Sequence, residues 1–467
     1  MTLTRIYSGA LALLAIVLTG CATSKVPLTV HPMKALSSVE PEASQFQGLE
    51  FLADIVPGKL KSRVNIVYVH GIGWTENPDA DQLAGDFLSG IATAYGREVE
   101  EQIIKTSCGK ENPSTGKTSP HVYIKNPIPH VLETAIAGST LELDKLVCMD
   151  KQVLEVDPSL EFVLYRVFWD DIFWNSLQFP HVGQDDDQGT SKDIARLRRK
   201  YNRRLKDELI NFGISDAVMY LGAAGDDIRM AVEGALCSAS LDAAGYDFER
   251  QGREITFENI CTLAANTSTR SNQFAFVTES LGSKIMYDVL RRAMTDGRDT
   301  AVDDMIRGSE TFMLANQIPL LSLSDLNKPR TELPPDFSPS ERPKIVAMSE
   351  LNDFLTYELI PFYRQLWYRS QRTDGSVTDP DDPRSRETIV RGLGFDVIDM
   401  RLEFADKVVP VLNGFSDPLE AHTGHAGQPE LMRYILCGAR MGKLNTQGCL
   451  ATELAAELGT QLDKDRR

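Results

Sequence analysis

The sequence predicts an α/β fold in which a mainly parallel sheet is flanked by helices. Short runs of β-branched and aromatic residues are nearly continuous in apolar character, which is typical of strands buried on both faces. Turn residues and then a helical pattern follow each run, as expected for strands joined by crossover helices. These runs are residues 64–69, 162–168, 274–277, 312–315, 345–348 and 397–402.

Two regions do not fit this alternation and are expected to be insertions. Residues 101–158 are rich in Pro, Ser and Lys, and residues 176–262 carry long helical patterns. Within the second region, residues 192–209 combine an apolar face with many Lys and Arg, which predicts a basic amphipathic helix. Such a helix either faces solvent beside acidic neighbours or rests on anionic lipid headgroups.

The N-terminus predicts export. Arg5 precedes an apolar run at residues 10–18, which is typical of a secretory signal peptide and too short to span a bilayer. Leu18-Thr19-Gly20-Cys21 resembles the lipobox of bacterial lipoproteins, which implies a signal peptide at residues 1–20 and a lipid on Cys21. The alternative is an ordinary secreted protein.

Ala22 follows the cysteine, and in bacterial lipoproteins a residue that is not acidic at this position favours the outer membrane of the cell envelope. A polar tether is expected at residues 21–45, followed by one elaborated domain at 46–467. The chain has 66 acidic and 49 basic residues and a net charge of −17, which disfavours nucleic acid as a partner.

The chain contains seven cysteines, and six remain once Cys21 is assigned to the lipid. An exported compartment allows them to oxidise. Short loops favour pairing in sequence order, although six cysteines allow fifteen pairings and buried free thiols are the alternative. We find no C-x-x-C or Cys/His cluster, so no metal site is predicted. The expected pairs are Cys108 with Cys148, Cys237 with Cys261, and Cys437 with Cys449.

Two predicted strands end in glycine-containing turns. The first is His70-Gly71-Ile72-Gly73, where backbone amides after a strand could bind an oxyanion. The second runs from Thr278 to Ser283 between a strand and a helical pattern, which is the context of a nucleophile elbow at Ser280. Gly282 is small, as the turn requires, whereas Thr278 stands where glycine is usual. Alone, Ser280 would more often cap a helix.

A serine nucleophile needs a histidine base and an acid, and in enzymes with a nucleophile elbow both residues follow the serine along the chain. Of seven histidines, His422 and His425 follow it, and His422 is preferred because Ala421-His422-Thr423-Gly424 resembles a stretch that carries the catalytic histidine of some hydrolases. Asp353 lies in the loop after the strand at 345–348, and Glu350 is the second choice. Asp353 could instead cap the following helix.

The order of the HGxG, TxSxG, ND and AHTG motifs resembles the α/β-hydrolase superfamily, close to its esterase and lipase branches, from about residue 60 onward. The resemblance implies that Ser280 is the nucleophile, His422 the base and Asp353 the residue that orients it. It also implies an oxyanion hole from the amides of Leu281 and of Ile72 or Gly71, with no cofactor. Glu279, beside the nucleophile, either tunes specificity or faces solvent.

The expected function is therefore hydrolysis of lipid or acyl esters near a membrane. A catalytically silent scaffold for envelope binding is the alternative from another class, and a peptidase or thioesterase would use the same triad. The substrate and the oligomeric state depend on surfaces that sequence motifs do not specify.

Overall fold

The computed structural model describes residues 26–38, 45–55, 62–71, 78–97, 121–133, 140–157, 160–169, 214–222, 224–248, 256–267, 273–295, 301–325, 334–335, 337–372, 379, 382–407, 416–445 and 449. Within these ranges, none of the helices is both long and apolar enough to cross a membrane. Cys21 and the basic pattern at 192–209 lie outside them.

Fourteen strands can be assigned in these ranges. They are β1 (Thr29–Val30), β2 (Lys34–Ala35), β3 (Phe46–Gln47), β4 (Asp54–Ile55), β5 (Ser62–Val69), β6 (His121–Glu133), β7 (Thr140–Asp157), β8 (Leu160–Phe168), β9 (Phe274–Glu279), β10 (Glu310–Leu314), β11 (Lys344–Glu350), β12 (Asp396–Glu403), β13 (Gly438–Arg440) and β14 (Lys443–Leu444).

Eleven helices are assigned in the same way. They are α1 (Pro78–Ala94), α2 (Ser215–Leu221), α3 (Gly225–Ala243), α4 (Phe257–Thr267), α5 (Leu281–Thr295), α6 (Ala301–Ile306), α7 (Ile318–Leu321), α8 (Leu359–Arg372), α9 (Pro383–Leu393), α10 (Pro418–Thr423) and α11 (Pro429–Cys437). Short 3₁₀ turns lie at Leu49–Leu52 and Ser322–Asp325.

The centre of the main sheet is parallel. Its strands run in the order β8-β5-β9-β10-β11-β12, and each neighbouring pair is parallel. All six correspond to the predicted runs, although several extend a few residues further. The prediction of an α/β fold with a mainly parallel, helix-flanked sheet is confirmed.

Antiparallel strands extend one side of this sheet. β7 pairs with β8, and β6 pairs with β7. Only two residues separate Asp157 from Leu160, a connection that permits an antiparallel hairpin but not a parallel crossover. Residues 121–133 and 140–157, within the expected insertion at 101–158, therefore form strands that extend the edge of the sheet.

The other side of the sheet ends on the N-terminal segment. β1 and β2 both pair antiparallel with β12, so that Val30 lies opposite Leu402 and Ala35 opposite Ile398. The outer edge of β12 would otherwise expose unpaired backbone groups. The expected tether at 21–45 therefore contains two short strands of the sheet, Thr29–Val30 and Lys34–Ala35.

Helices cover both faces of the sheet. One core contains the apolar sides of α3, α4, α5, α6, α8 and α9, and the other contains those of α1 and α11. Alternate residues of the central strands divide between them: Val67 and Val69 face the first core, whereas Ile66 and Tyr68 face the second. The second expected insertion, 176–262, therefore includes a central element, because α3 is buried along most of its length.

Disulfides join elements that cover these faces. Cys237 and Cys261, which tie α3 to α4, lie at disulfide distance, as do Cys437 and Cys449. Both pairs are those expected from sequence order. Cys148 is also disulfide-bonded, and Cys108 lies outside the described residues.

Candidate active site

Ser280 occupies a tight turn between β9 and α5. Its φ of 52° lies in the left-handed region, which costs a residue with a side chain on the order of 1–3 kcal/mol. The Ser280 N–H donates to Leu314 O at 2.9 Å, and the Ser280 carbonyl accepts from Ser283 N–H at 3.0 Å. These bonds hold the turn, so the strained conformation projects the Ser280 side chain at the carboxyl edge of the sheet.

Two glycines are required around this turn. A Cβ on Gly282 would lie 2.2 Å from Val69 O, and one on Gly71 would lie 2.6 Å from Ser280 Cβ. Both distances are too short for any side chain. The end of β5 and the turn after β9 are therefore packed backbone against backbone, which places Gly71 directly beside Ser280.

Thr278 replaces the glycine that is usual two residues before a nucleophile. Its side chain is fully buried, and its Oγ1 lies 3.0 Å from the Ser283 hydroxyl. The threonine is thus accommodated, and it links the end of β9 to the first turn of α5.

His422 and Asp353 complete a hydrogen-bonded line with Ser280. His422, on α10, places Nε2 2.8 Å from Ser280 Oγ, and its Nδ1 lies 2.7 Å from Asp353 Oδ2. An ionised carboxylate only accepts hydrogen bonds, so Nδ1 of a neutral His422 carries the proton and Nε2 accepts from the serine hydroxyl. Sequence reasoning named these three residues, and the structure brings them together.

Asp353 is buried in the loop after β11. Besides His422, Thr356 Oγ1 donates to its Oδ2 and Leu355 N–H donates to its Oδ1 at 2.9 Å. Burial by itself raises the pKa of this carboxyl, but the hydrogen bond and charge of His422 together with the other donors outweigh it and hold the pKa below its ordinary value. Asp353 is therefore ionised at neutral pH.

The two alternative residues have other roles. The Glu350 carboxylate accepts from Asn352 Nδ2 at 3.0 Å and from the Phe404 N–H at 3.3 Å, so it braces the loops after β11 and β12. His425 is fully buried, and its Nδ1 lies 3.2 Å from the backbone oxygen of His422. Burial, followed by the charge of His422, lowers the pKa of His425 to about 4, so it remains neutral.

Backbone amides near Ser280 are suited to an oxyanion. Leu281 is the first residue of α5, and amides in the first turn of a helix lack an acceptor within that helix. Gly71 lies against Ser280 from the other side. Ile72, the other expected donor, lies outside the described residues.

The loop that carries Gly71 is held by an aromatic residue that sequence reasoning missed. Trp169, directly after β8, donates from Nε1 to His70 O at 3.1 Å, and its ring stacks on the His70 ring at 5.5 Å. The sequence does not indicate this contact, because it forms only when β8 pairs with β5 in the sheet.

Gln317 is a second residue that sequence reasoning missed. Its Nε2 donates to Ser280 Oγ at 2.8 Å, and its side chain is buried. Ala315, with a φ of 50°, turns the chain after β10, and Asn316 Nδ2 donates to Ser349 Oγ at 3.2 Å. Because Ser280 Oγ accepts from Gln317, its own hydrogen is directed toward His422.

Glu279 does not face solvent, which was one of the two expectations for it. It is buried, and Tyr68 Oη donates to its carboxylate at 2.7 Å. Burial raises the pKa of Glu279 to about 7, against the opposing effects of the Tyr68 hydrogen bond and of His422. A group that titrates near neutral pH therefore lies directly beside Ser280.

Among the described residues, one group has the spacing of metal ligands: Glu50, Cys437 and Cys449. The two cysteines are joined in a disulfide, and a metal ligand would need to be a thiolate. This group is therefore not a metal site.

Comparison of the chain with protein-family models, with curated proteins and with solved structures finds no match.

Proposed function

We propose that the protein is a serine hydrolase with an α/β-hydrolase fold that cleaves carboxylic esters through an acyl-enzyme. The observation that carries the proposal is the line from Ser280 Oγ to His422 Nε2 at 2.8 Å and from His422 Nδ1 to Asp353 at 2.7 Å. All three residues lie at the carboxyl edge of a mostly parallel sheet, the usual place for sites in such folds.

The reaction begins when Ser280 Oγ attacks the ester carbonyl carbon and His422 Nε2 takes the hydroxyl proton. The carbonyl electron pair moves onto oxygen, and the amides of Leu281 and Gly71 are suited to stabilise that charge. Collapse of the intermediate breaks the bond to the alcohol, which leaves with the proton from His422. Water then attacks the acyl-enzyme by the same proton path and releases the acid.

Asp353 has a positioning role in this reaction. Its carboxylate accepts from His422 Nδ1 and so keeps Nε2 free to accept the serine proton. Its lowered pKa keeps it charged, which stabilises the imidazolium that forms during the attack.

A catalytically silent scaffold is less well supported. A binding protein has no need to hold Ser280 at a φ of 52° with both His422 and Gln317 on its hydroxyl. Strained residues that persist in a fold cluster at functional sites. A thioesterase or peptidase would use the same three groups, so the substrate class rests on the ester-hydrolase resemblance of the motifs.

The proposal includes a lipid anchor. The lipobox-like Leu18-Thr19-Gly20-Cys21 supports attachment to a bacterial envelope membrane through Cys21, with the outer membrane favoured by Ala22. Intact-mass measurement of the protein from a bacterial host, compared with a Cys21→Ser variant, tests the anchor separately from the chemistry.

A fluorophosphonate probe tests the hydrolase proposal, because it reacts with an activated serine and mimics the tetrahedral intermediate. The wild-type protein is expected to be labelled and the Ser280→Ala variant not. Ser283→Ala is the matched control, since it removes a buried hydroxyl in the same turn that bonds to Thr278. Labelling that persists in Ser280→Ala, or its absence from the folded wild type, contradicts the proposal.

A further inference from the structure

The N-terminal segment reaches the sheet at the edge that holds the candidate site. β1 is antiparallel to β12, and Thr29 lies opposite Glu403, the last residue of β12. Val26 N–H then donates to Asp406 Oδ1 at 3.1 Å, beyond that end. Since β9, β11 and β12 are parallel, residue 26 and the turn at Ser280 lie at the same carboxyl edge.

The proposed anchor is close to this edge along the chain. Four residues separate Cys21 from Val26, so the two Cα atoms are five steps apart along the chain and at most about 18 Å apart even when it is fully extended. A lipid on Cys21 would therefore keep the carboxyl edge within a short distance of the membrane surface, whatever the conformation of those residues.

Large apolar side chains are exposed at the same edge. We call Leu323, Leu351, Phe354 and Tyr357 the apolar rim; their exposed fractions are 59%, 51%, 66% and 47%. Leu323, Leu351 and Tyr357 line one cavity of about 670 Å³ and so form one surface, and Phe354 lies between Leu351 and Tyr357 along the chain. Exposed apolar patches of this kind mark surfaces that bind a partner or a membrane.

The apolar rim is joined directly to the strand that carries the N-terminal segment. Leu351 N–H donates to Leu402 O at 2.9 Å, and Leu402 is the residue opposite Val30. The anchor attachment, the apolar rim and the loop of Asp353 are thus neighbours at one edge of the molecule.

We propose that the apolar rim lies in the lipid surface to which Cys21 is attached, so that the candidate site opens toward the membrane. The proposal rests on the lipid anchor included in the proposed function. Glu403, the last residue of β12, and Asp406, which lies beyond it, are acidic, and together with the net charge of −17 they disfavour anionic headgroups. The partner is therefore a zwitterionic lipid surface entered by apolar side chains, and the substrates are water-insoluble acyl esters drawn from it.

Tryptophan fluorescence in vesicles tests this orientation. The full-length lipidated protein carrying Phe354→Trp is reconstituted in phosphatidylcholine vesicles with and without bromine on the acyl chains, which quench nearby indoles. Val153→Trp is the matched control, because Val153 is 41% exposed on β7, six strands from β12 or roughly 30 Å at the usual strand spacing. The signal of the native tryptophans is subtracted by using the wild-type protein.

We expect several-fold stronger quenching and a blue-shifted emission for Phe354→Trp than for Val153→Trp. Leu323→Trp, at another residue of the apolar rim, gives a second measurement if the first variant does not fold. Equal quenching at the rim and at residue 153 in vesicle-bound protein overturns the orientation. Failure of the wild type to associate with vesicles overturns the anchor and the orientation together, whereas phosphonate labelling in detergent reports on Ser280 alone.

Discussion

The end of β9 and the turn after β11 each hold a buried carboxyl group near His422, and the pKa values of these two groups are shifted in opposite directions. Asp353, after β11, accepts hydrogen bonds from His422, Thr356 and a backbone amide, and its pKa is lowered. Glu279, at the end of β9, accepts from the neutral Tyr68 hydroxyl, and burial raises its pKa to about 7. Burial raises the pKa of both carboxyl groups; at Asp353 the hydrogen bonds and the charge of His422 outweigh it, whereas at Glu279 the opposing effects are too weak.

This difference suits the proposed chemistry. An ionised Asp353 stabilises the imidazolium of His422 during attack. A protonated Glu279 adds no negative charge beside the position where the oxyanion forms. One site thus keeps two carboxyl groups in different protonation states at mildly acidic pH, as is common where acid and base roles are divided.

The largest expected effect follows from removing the charge of Asp353. Asp353→Asn offers an amide hydrogen to His422 and so favours the tautomer whose Nε2 carries the proton. We expect kcat for an aryl ester to fall by about ten-thousandfold, as in other triads with this change, with little change in folding. Steady-state kinetics together with circular dichroism measure both.

Glu350→Gln is the control for that experiment, because Glu350 ends β11 directly before that turn and braces the loops at Asn352 and Phe404. It is expected to lose far less activity than Asp353→Asn. An equal loss from both variants would indicate that the loop conformation, and not the charge at Asp353, supports the reaction.

The second largest effect is expected from Glu279, and it is an effect on the free energy of unfolding. Glu279 has a folded pKa of about 7 against an ordinary value of 4.5, so the unfolded chain releases its proton at lower pH than the folded protein. The wild type therefore loses stability as pH rises from about 4.5 to 7, and the penalty persists above that. Relative to wild type, Glu279→Gln should gain about 2–3 kcal/mol between pH 5 and pH 8.

Urea unfolding at the two pH values measures this gain. Gln retains an oxygen that can accept from Tyr68, so the comparison isolates the titration. A stability difference between variant and wild type that is independent of pH would mean that Glu279 is ionised throughout this range, and the contrast with Asp353 would disappear.

The smallest effect is expected from the donor to Glu279. Tyr68→Phe removes the hydroxyl that bonds to the buried carboxyl, and we expect a loss of about 1 kcal/mol at pH 6, rising at pH 8 where the carboxylate is ionised and needs the donor more. Thermal unfolding at both pH values tests this. A loss that does not grow with pH would mean that Glu279 does not change its protonation state between pH 6 and pH 8.

Sequence patterns identified site residues best where the position of a residue depends on its neighbours in the chain. The strand, turn and helix around Ser280 are read from neighbouring residues, and Gly282 is required by the approach of Val69 O in that turn. His422 was preferred over His425 through its short motif, and the structure places it, rather than the buried His425, against Ser280.

Residues that act through neighbouring strands were not predictable in this way. Gln317 reaches Ser280 because β10 lies beside β9 and Ala315 turns the chain, and neither fact is encoded in a local motif. The burial of Glu279 depends on Tyr68 from β5. The strands at 121–133 and 140–157 were missed because their polar composition masks the alternation that an edge hairpin requires.

The pairing of β1 with β12 also implies an order in which parts of the chain fold. The hydrogen bond between Val26 and Asp406 joins residues 380 positions apart, so the N-terminal segment has no place on the sheet until nearly the whole chain has been made. Contacts between such distant residues form late, because closing a long loop costs conformational entropy. Docking of the N-terminal segment on β12 is accordingly among the last steps of folding.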